Sequence, residues 1–223
     1  MTYAPNEAGC GYVPLALPAT SDEHAKLFFD VLDSGFADMH QLLVFRRALA
    51  GKPVGYRWAT PLALMALTDT CANLFWTGPK ATKGREKFKT FIVNDYRWKL
   101  DQPEHITASE IADLLWNRLR GPLVHRLGLK GTHRRIDDVV FSEMAVLSTA
   151  ELGEIERGSE RPWQASVSRD LRTARVTVQM EGWYWGLRKS VESLLGDSAR
   201  LEHVVSRLRT GDFDPDKPCL PAT

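Results

Sequence analysis

The amino-acid sequence predicts a mainly α-helical bundle with a small β-hairpin next to its C-terminal helix. From residue 21 to residue 125, apolar side chains recur every three or four positions, and helix-start and helix-stop residues separate the segments. Between residues 162 and 180 the apolar spacing changes to two, which is the period of a half-buried strand. We therefore expect helices first, then a hairpin, then helices again.

The size and composition of the chain favour one domain. Its 223 residues, 43% of them hydrophobic, can bury a sizeable core. We expect an irregular arm over residues 1 to 20, a single domain over 21 to 209 and a flexible tail over 210 to 223. The three cysteines lack metal or disulfide spacing, and neither a leader nor a membrane-length apolar run is visible. We expect a cytoplasmic protein with no membrane attachment.

The first helices are expected over residues 23 to 50, with an interruption at Gly35. Apolar side chains at helical spacing should face the core, namely Leu27, Val31 and Leu32 before the interruption, and Phe36, Met39, Leu43 and Leu49 after it. The next helix should start at an N-cap on Thr60 and stop before Gly78. It is apolar almost all round, which is typical of a helix in the middle of a bundle.

Two further helices follow. One is expected from about residue 84 to 95, with Phe88, Phe91 and Ile92 facing the core. The other should begin with a capping box formed by Thr107 and Glu110, and continue through residue 125. Pro122 should kink it, because proline removes one backbone hydrogen bond. We expect this helix to pack antiparallel to the helix that begins at Thr60.

The pattern beyond residue 136 predicts strands and then a closing helix. Alternating side chains predict a β-hairpin within residues 162 to 180, and residues 135 to 148 are a possible further strand. A helical region over 183 to 208 should break near Gly196. It opens with Trp183-Tyr184-Trp185, which either stacks on unpaired bases or, as is more usual for such a run, belongs to the core.

The helix that begins after Thr107 carries a basic motif. Arg118 and Arg120 precede His125 with six and four intervening residues. This motif resembles that of the HEPN family (higher eukaryotes and prokaryotes nucleotide-binding domains), in which an arginine is followed by a histidine after four to six residues. The order of elements over about residues 58 to 209 is also similar to a bacterial HEPN-like group. The resemblance implies a HEPN-like antiparallel helical bundle.

The resemblance also implies a function, that of a metal-independent endoribonuclease, as a toxin or defence effector. His125 would transfer protons and the motif arginine would bind the scissile phosphate. RNA, a second copy of the chain and a nucleotidyltransferase-type antitoxin are the implied partners, with no metal or cofactor. Gly121 departs from the polar residue that active members commonly carry there, so the alternative is a catalytically silent module that binds nucleic acid or protein. An unrelated helical scaffold is a third reading.

The motif arginine is left open by the sequence. On a straight helix, at about 100° per residue, Arg118 shares a face with His125 and Arg120 lies about 140° away. The family spacing and the proline kink favour Arg120 instead. From residue 114 to 136 the chain has no acidic residue, and the +1 net charge of the whole requires any nucleic-acid site to be such a local patch. Arg126 lies in this basic window and is a candidate phosphate contact.

Asp69 is the candidate supporting residue on the preceding apolar helix. An aspartate in such a helix needs either solvent or a partner. It therefore lies on a narrow polar strip with its neighbours, or it contacts Arg118, Arg120 or His125 across the helix pair. An arginine partner would be held in place, and a histidine partner would have its tautomer set. No phosphate-binding glycine loop, nucleophile elbow or metal-ligand cluster is present in the sequence.

Overall fold

The mainly helical fold with a small hairpin is confirmed. The structure, a computed structural model, describes residues 12–48, 59–96, 106–120, 139–142, 167–171 and 175–210. Its elements are α1 (Glu23–Ala48), α2 (Ala59–Leu74), α3 (Gly84–Thr90), α4 (Ala108–Leu114), β1 (Val139–Ser142), β2 (Val167–Asp170), β3 (Arg175–Gln179), α5 (Met180–Leu195) and α6 (Ser198–Arg209). Wider π-helical turns extend α3 over Phe91–Asp95 and α4 over Leu115–Arg120.

Helix α1 is continuous, so the predicted interruption at Gly35 is wrong. A Cβ atom at Gly35 would lie 3.5 Å from Leu67 Cδ1 of α2, which is an ordinary van der Waals distance. Glycine costs helix stability but does not end a helix that tertiary packing holds on both sides. Gly35 is thus a point where α1 passes close to α2.

The buried face of α1 was predicted correctly only in part. Leu27 and Val31 are 64% and 60% exposed, which contradicts the prediction that they face the core. The buried apolar positions alternate in steps of four and three, as in a coiled-coil seam. They are Ala25, Phe29, Leu32, Phe36, Met39 and Leu43. Leu49 lies outside the described residues.

Helix α2 occupies the middle of the helical assembly, as predicted. It packs against α1, α3, α5 and the π-helical turn that follows α4. Its start differs from the prediction, because the helix already includes Ala59 and Thr60 is therefore not its N-cap. Thr60 is instead fully buried. The helix ends at Leu74, so it stops before Gly78 as predicted.

Cationic side chains of α6 close the C-terminal end of α2. Arg207 Nη1 donates to the carbonyl oxygen of Asn73 at 2.8 Å, and Arg200 Nη1 donates to that of Phe75 at 2.9 Å. The last carbonyl groups of a helix have no partner within the helix, and positive charge there interacts favourably with the helix dipole. These bonds fix the end of α2 against α6.

Helices α3 and α4 follow the sequence prediction closely. Phe88, Phe91 and Ile92 are buried. The capping box is confirmed, because Glu110 N donates to Thr107 Oγ1 at 3.2 Å and Thr107 N donates to Glu110 Oε2 at 2.8 Å. Helix α4 and α2 are in contact through the π-helical turn, whereas the predicted antiparallel orientation stays a prediction. Pro122 and its predicted kink lie outside the described residues.

The strands form a three-stranded sheet in the order β1-β3-β2. Strands β2 and β3 are antiparallel and form the predicted hairpin, and β1, in the segment left open by the sequence, pairs parallel to β3. Helix α5 begins directly after β3 and is separated from α6 near residue 196, as predicted. Trp183, Tyr184 and Trp185 are all buried, so they belong to the core and have no surface for stacking on bases.

The described part of the predicted N-terminal arm has no helix or strand. We call residues 12 to 17 the N-terminal strap. Arg188 of α5 donates from Nη1 to the carbonyl oxygen of Val13 at 2.6 Å and from Nη2 to that of Pro14 at 2.8 Å. Tyr12 Oη donates to Asp33 Oδ1 of α1 at 2.6 Å. The strap therefore joins α1 to α5. Of the helices in the described ranges, none has the length and hydropathy needed to cross a membrane.

Candidate functional site

The candidate site is centred on an ion pair between α2 and the end of the motif helix. Asp69 Oδ2 lies 3.2 Å from Arg120 Nη2 and 3.4 Å from Arg120 Nε. The Asp69 side chain is 22% exposed and that of Arg120 is 33% exposed, so both can be reached from solvent. Of the contacts predicted for Asp69, the one with Arg120 is therefore present.

The surroundings of Asp69 combine the two predicted possibilities. Asn73 Nδ2 donates to the Asp69 carbonyl oxygen at 2.9 Å and lies 3.4 Å from Asp69 Oδ1, so a polar strip does run along α2. Thr68 belongs to the core instead, because its hydroxyl is buried and accepts a bond from Trp183 Nε1 at 3.1 Å. Asp69 thus belongs to a polar strip along α2 and also contacts Arg120.

The widened turn at Leu115–Arg120 changes the helical geometry on which the choice of arginine depended. A regular rotation of about 100° per residue applies to an α-helix, whereas this turn closes rings from residue i to i+5. The angles between side chains that were calculated for a straight α-helix therefore do not describe the turn that ends at Arg120. Such π-helical turns are rare and occur frequently at functional sites.

Trp116 lies next to Arg120 on the same turn. The Arg120 Cζ atom is 4.2 Å from the centroid of the Trp116 ring, which is within the range of a cation–π contact. The same indole lies 5.4 Å, centroid to centroid, from the ring of Phe88, and its Cη2 atom is 3.7 Å from where a Cβ of Gly84 would be. Helix α3 thus supports the indole on which Arg120 rests.

Lys87 of α3 adds a cation to this region. Burial and the charge of Arg207 lower its pKa, and the nearby carboxylate of Asp69 opposes that effect. Two other cations of the same helix, Arg85 and Lys89, are paired with Asp113 at 3.1 and 2.8 Å. Helix α3 therefore directs its paired cations toward α4 and leaves Lys87 beside Asp69.

Several predicted site residues lie outside the described residues. They are His125, Arg126 and Gly121, together with the side chain of Arg118. The structure brings Asp69 and Arg120 together and leaves the other predicted assignments as predictions.

Trp116 and Lys87 were not predicted from the sequence. The signal for Trp116 was available, because it precedes Arg120 by four residues, and residues four apart share one face of a helix. The signal for Lys87 was weaker. It is three residues after Gly84 and one before the core residue Phe88, so its position on the α2 side follows only from how α3 packs.

Comparisons with protein-family models, with curated proteins and with solved structures found no match to this chain. The chemistry of the site is therefore read from its own residues. An arginine that is held by a carboxylate and an indole, and that keeps a third of its surface in solvent, can bind an anion such as a phosphate.

Proposed function

We propose that the chain is a HEPN-like, metal-independent endoribonuclease that acts as a toxin or defence effector. The observation that supports this function is the pairing of Asp69 with Arg120, an arginine at the family spacing from His125. An enzyme that binds a phosphate through arginine needs the guanidinium held in place before the substrate arrives. The pairing supplies such a constraint.

In the proposed reaction, His125 removes the proton of a ribose 2′-hydroxyl group, or donates a proton to the leaving 5′-oxygen. The 2′-oxygen forms a bond to phosphorus while the bond from phosphorus to the 5′-oxygen breaks. Arg120 stabilises the charge that builds on the phosphate oxygens. Asp69 engages Nε and Nη2, and Nη1 has no acceptor among the described residues, so Nη1 is available to the phosphate.

The proposal includes the partners that the family resemblance implies. These are RNA, a second copy of this chain and a nucleotidyltransferase-type antitoxin, all in the cytoplasm. The basic window from residue 114 to 136, which includes Arg118 and Arg126, would supply further phosphate contacts. Light scattering of the purified chain gives its mass and tests whether it forms a dimer.

The decisive experiment is RNA cleavage in the presence of a chelator. We expect His125→Ala and Arg120→Ala to abolish cleavage of single-stranded RNA while the thermal midpoint stays close to that of the wild type. Arg118→Ala should weaken RNA binding more than it slows the chemical step. The Asp69–Arg120 pair is partly exposed, so its loss should cost no more than about 1 kcal/mol of stability.

A matched variant separates the chemical role from the structural one. Asp69→Asn keeps an oxygen near Arg120 but removes the charge, so we expect reduced cleavage with little change in stability. Wild-type protein that leaves RNA intact in every buffer, with His125→Ala merely less stable, would contradict the enzymatic function. RNA binding without cleavage would favour the alternative function, a catalytically silent binding module. Gly121 is the residue that suggests this alternative.

A further inference from the structure

The contact between Asp69 and Arg120 constrains the guanidinium group incompletely. Nε and Nη2 both approach the same oxygen, Oδ2, at 3.4 and 3.2 Å. A paired fork would use both carboxylate oxygens at about 2.7–2.9 Å. Because both nitrogen atoms share one oxygen at long hydrogen-bond distances, the contact does not fix the guanidinium plane. The plane can still tilt about Oδ2.

Trp116 supplies the missing constraint. Its ring faces the guanidinium at 4.2 Å from Cζ, so the indole restricts the tilt that Asp69 leaves free. The ring is itself held, since Phe88 packs against it at 5.4 Å, centroid to centroid, and its edge lies close to Gly84 of α3. Asp69 and Trp116 belong to different elements, so the two constraints are independent.

We propose that Trp116 is the positioning residue for Arg120, and that its indole fixes the plane of the guanidinium so that Nη1 faces a bound RNA phosphate. This inference rests on the proposed ribonuclease function for its catalytic consequence. The orientation of Arg120 itself does not depend on that function, and it is measured without RNA.

The first experiment is therefore spectroscopic. Arg120→Lys assigns the Nε–H resonance of Arg120 by removing it from a ¹H–¹⁵N spectrum. We expect Trp116→Ala to shift that resonance, because the ring current is lost, and to speed its exchange with water. Trp116→Phe keeps an aromatic face and should give an intermediate spectrum. Trp76→Phe is the control, because Trp76 is also partly buried and its Nε1 donates to the carbonyl oxygen of Pro79.

The second experiment measures RNA cleavage by the same variants. Loss of the cation–π contact should lower kcat by about 2- to 30-fold in Trp116→Ala, with a smaller change in KM, because a tilted guanidinium still attracts RNA. Trp116→Phe should recover part of kcat, and Trp76→Phe should match the wild type.

The two readouts distinguish the possible failures. An Arg120 resonance that is unchanged in both Trp116 variants would overturn the positioning role, whether or not RNA is cut. A shifted resonance in a chain that never cuts RNA would contradict the ribonuclease function and leave the positioning intact. If Trp116→Ala does not fold, Trp116→Phe alone decides, and wild-type spectra and kcat in that variant would overturn the proposal.

Discussion

At the scale of single residues, the environment of Lys87 bears on where an anion could bind at the site. Lys87 is partly buried, and no carboxylate of the described residues forms an ion pair with it. The lowered pKa expresses the cost of this position, and the main causes are burial and Arg207. A phosphate group beside Asp69 and Arg120 would give Lys87 a second anion besides the Asp69 carboxylate, which alone does not offset the lowering of its pKa.

We therefore expect Lys87→Gln to weaken RNA binding. The slope of log affinity against log salt should become less steep by about 0.7 if Lys87 makes one phosphate contact on a single strand. Lys26→Gln is the matched control, because Lys26 is an exposed lysine on α1. A salt titration compares the two. Equal slopes for both variants and the wild type would remove Lys87 from the RNA-binding surface.

The site was only partly predictable from sequence. Asp69 could be recognised because a carboxylate in an apolar helix is costly without a partner. The choice between Arg118 and Arg120 could not be made, because it depended on a turn that departs from α-helical geometry. Trp116 was not predicted, because the support that Phe88 gives its ring depends on how α3 packs.

At the scale of helix packing, two glycines predict opposite outcomes. A Cβ atom on Gly186 of α5 would lie 2.3 Å from Tyr96 Oη, which donates to the Trp183 carbonyl oxygen. Tyr96 is buried and cannot move aside. We expect Gly186→Ala to lower the free energy of unfolding by about 1–3 kcal/mol.

Gly35→Ala should have the reverse effect. The added methyl group meets Leu67 at an ordinary 3.5 Å, and alanine is better than glycine by about 0.5–1 kcal/mol inside a helix. Urea denaturation of both variants measures the difference. A Gly186→Ala protein as stable as Gly35→Ala would contradict the close approach of α5 to Tyr96.

At the scale of the whole molecule, the buried Arg188 side chain bonds the N-terminal strap to α5. The Arg188 side chain is 7% exposed and also pairs with Glu192 at 3.0 Å. We expect Arg188→Gln to lower the free energy of unfolding by about 1–3 kcal/mol, because it removes the charge-assisted bonds to the carbonyl groups of Val13 and Pro14. The strap should also become more sensitive to proteases.

Arg209→Gln is the control for Arg188. Arg209 pairs with Asp22, but its side chain is 63% exposed. Water screens an exposed ion pair, so the denaturation midpoint should barely move. If Arg188→Gln lowers the denaturation midpoint as little as Arg209→Gln does, the strap contributes little to stability.

At the scale of the molecule, the sequence predicted what depends on neighbouring residues. The capping box at Thr107 and the break near Gly196 need only local chemistry. The prediction of the buried face of α1 was partly wrong, because Leu27 and Val31 are as apolar as the residues that do face the core. Which stripe is covered depends on helices far along the chain. The parallel pairing of β1 with β3 was likewise beyond a local pattern.

The strap also sets an order of events during synthesis. Val13 and Arg188 are 175 residues apart in the chain. Ribosomes add about 5–20 residues per second, so at least roughly ten seconds separate the appearance of the two partners. Throughout that interval Val13, Pro14 and the α1 surface beside them lack their arginine. The strap is thus synthesised before α5, but it reaches its final position only after Arg188 has been made.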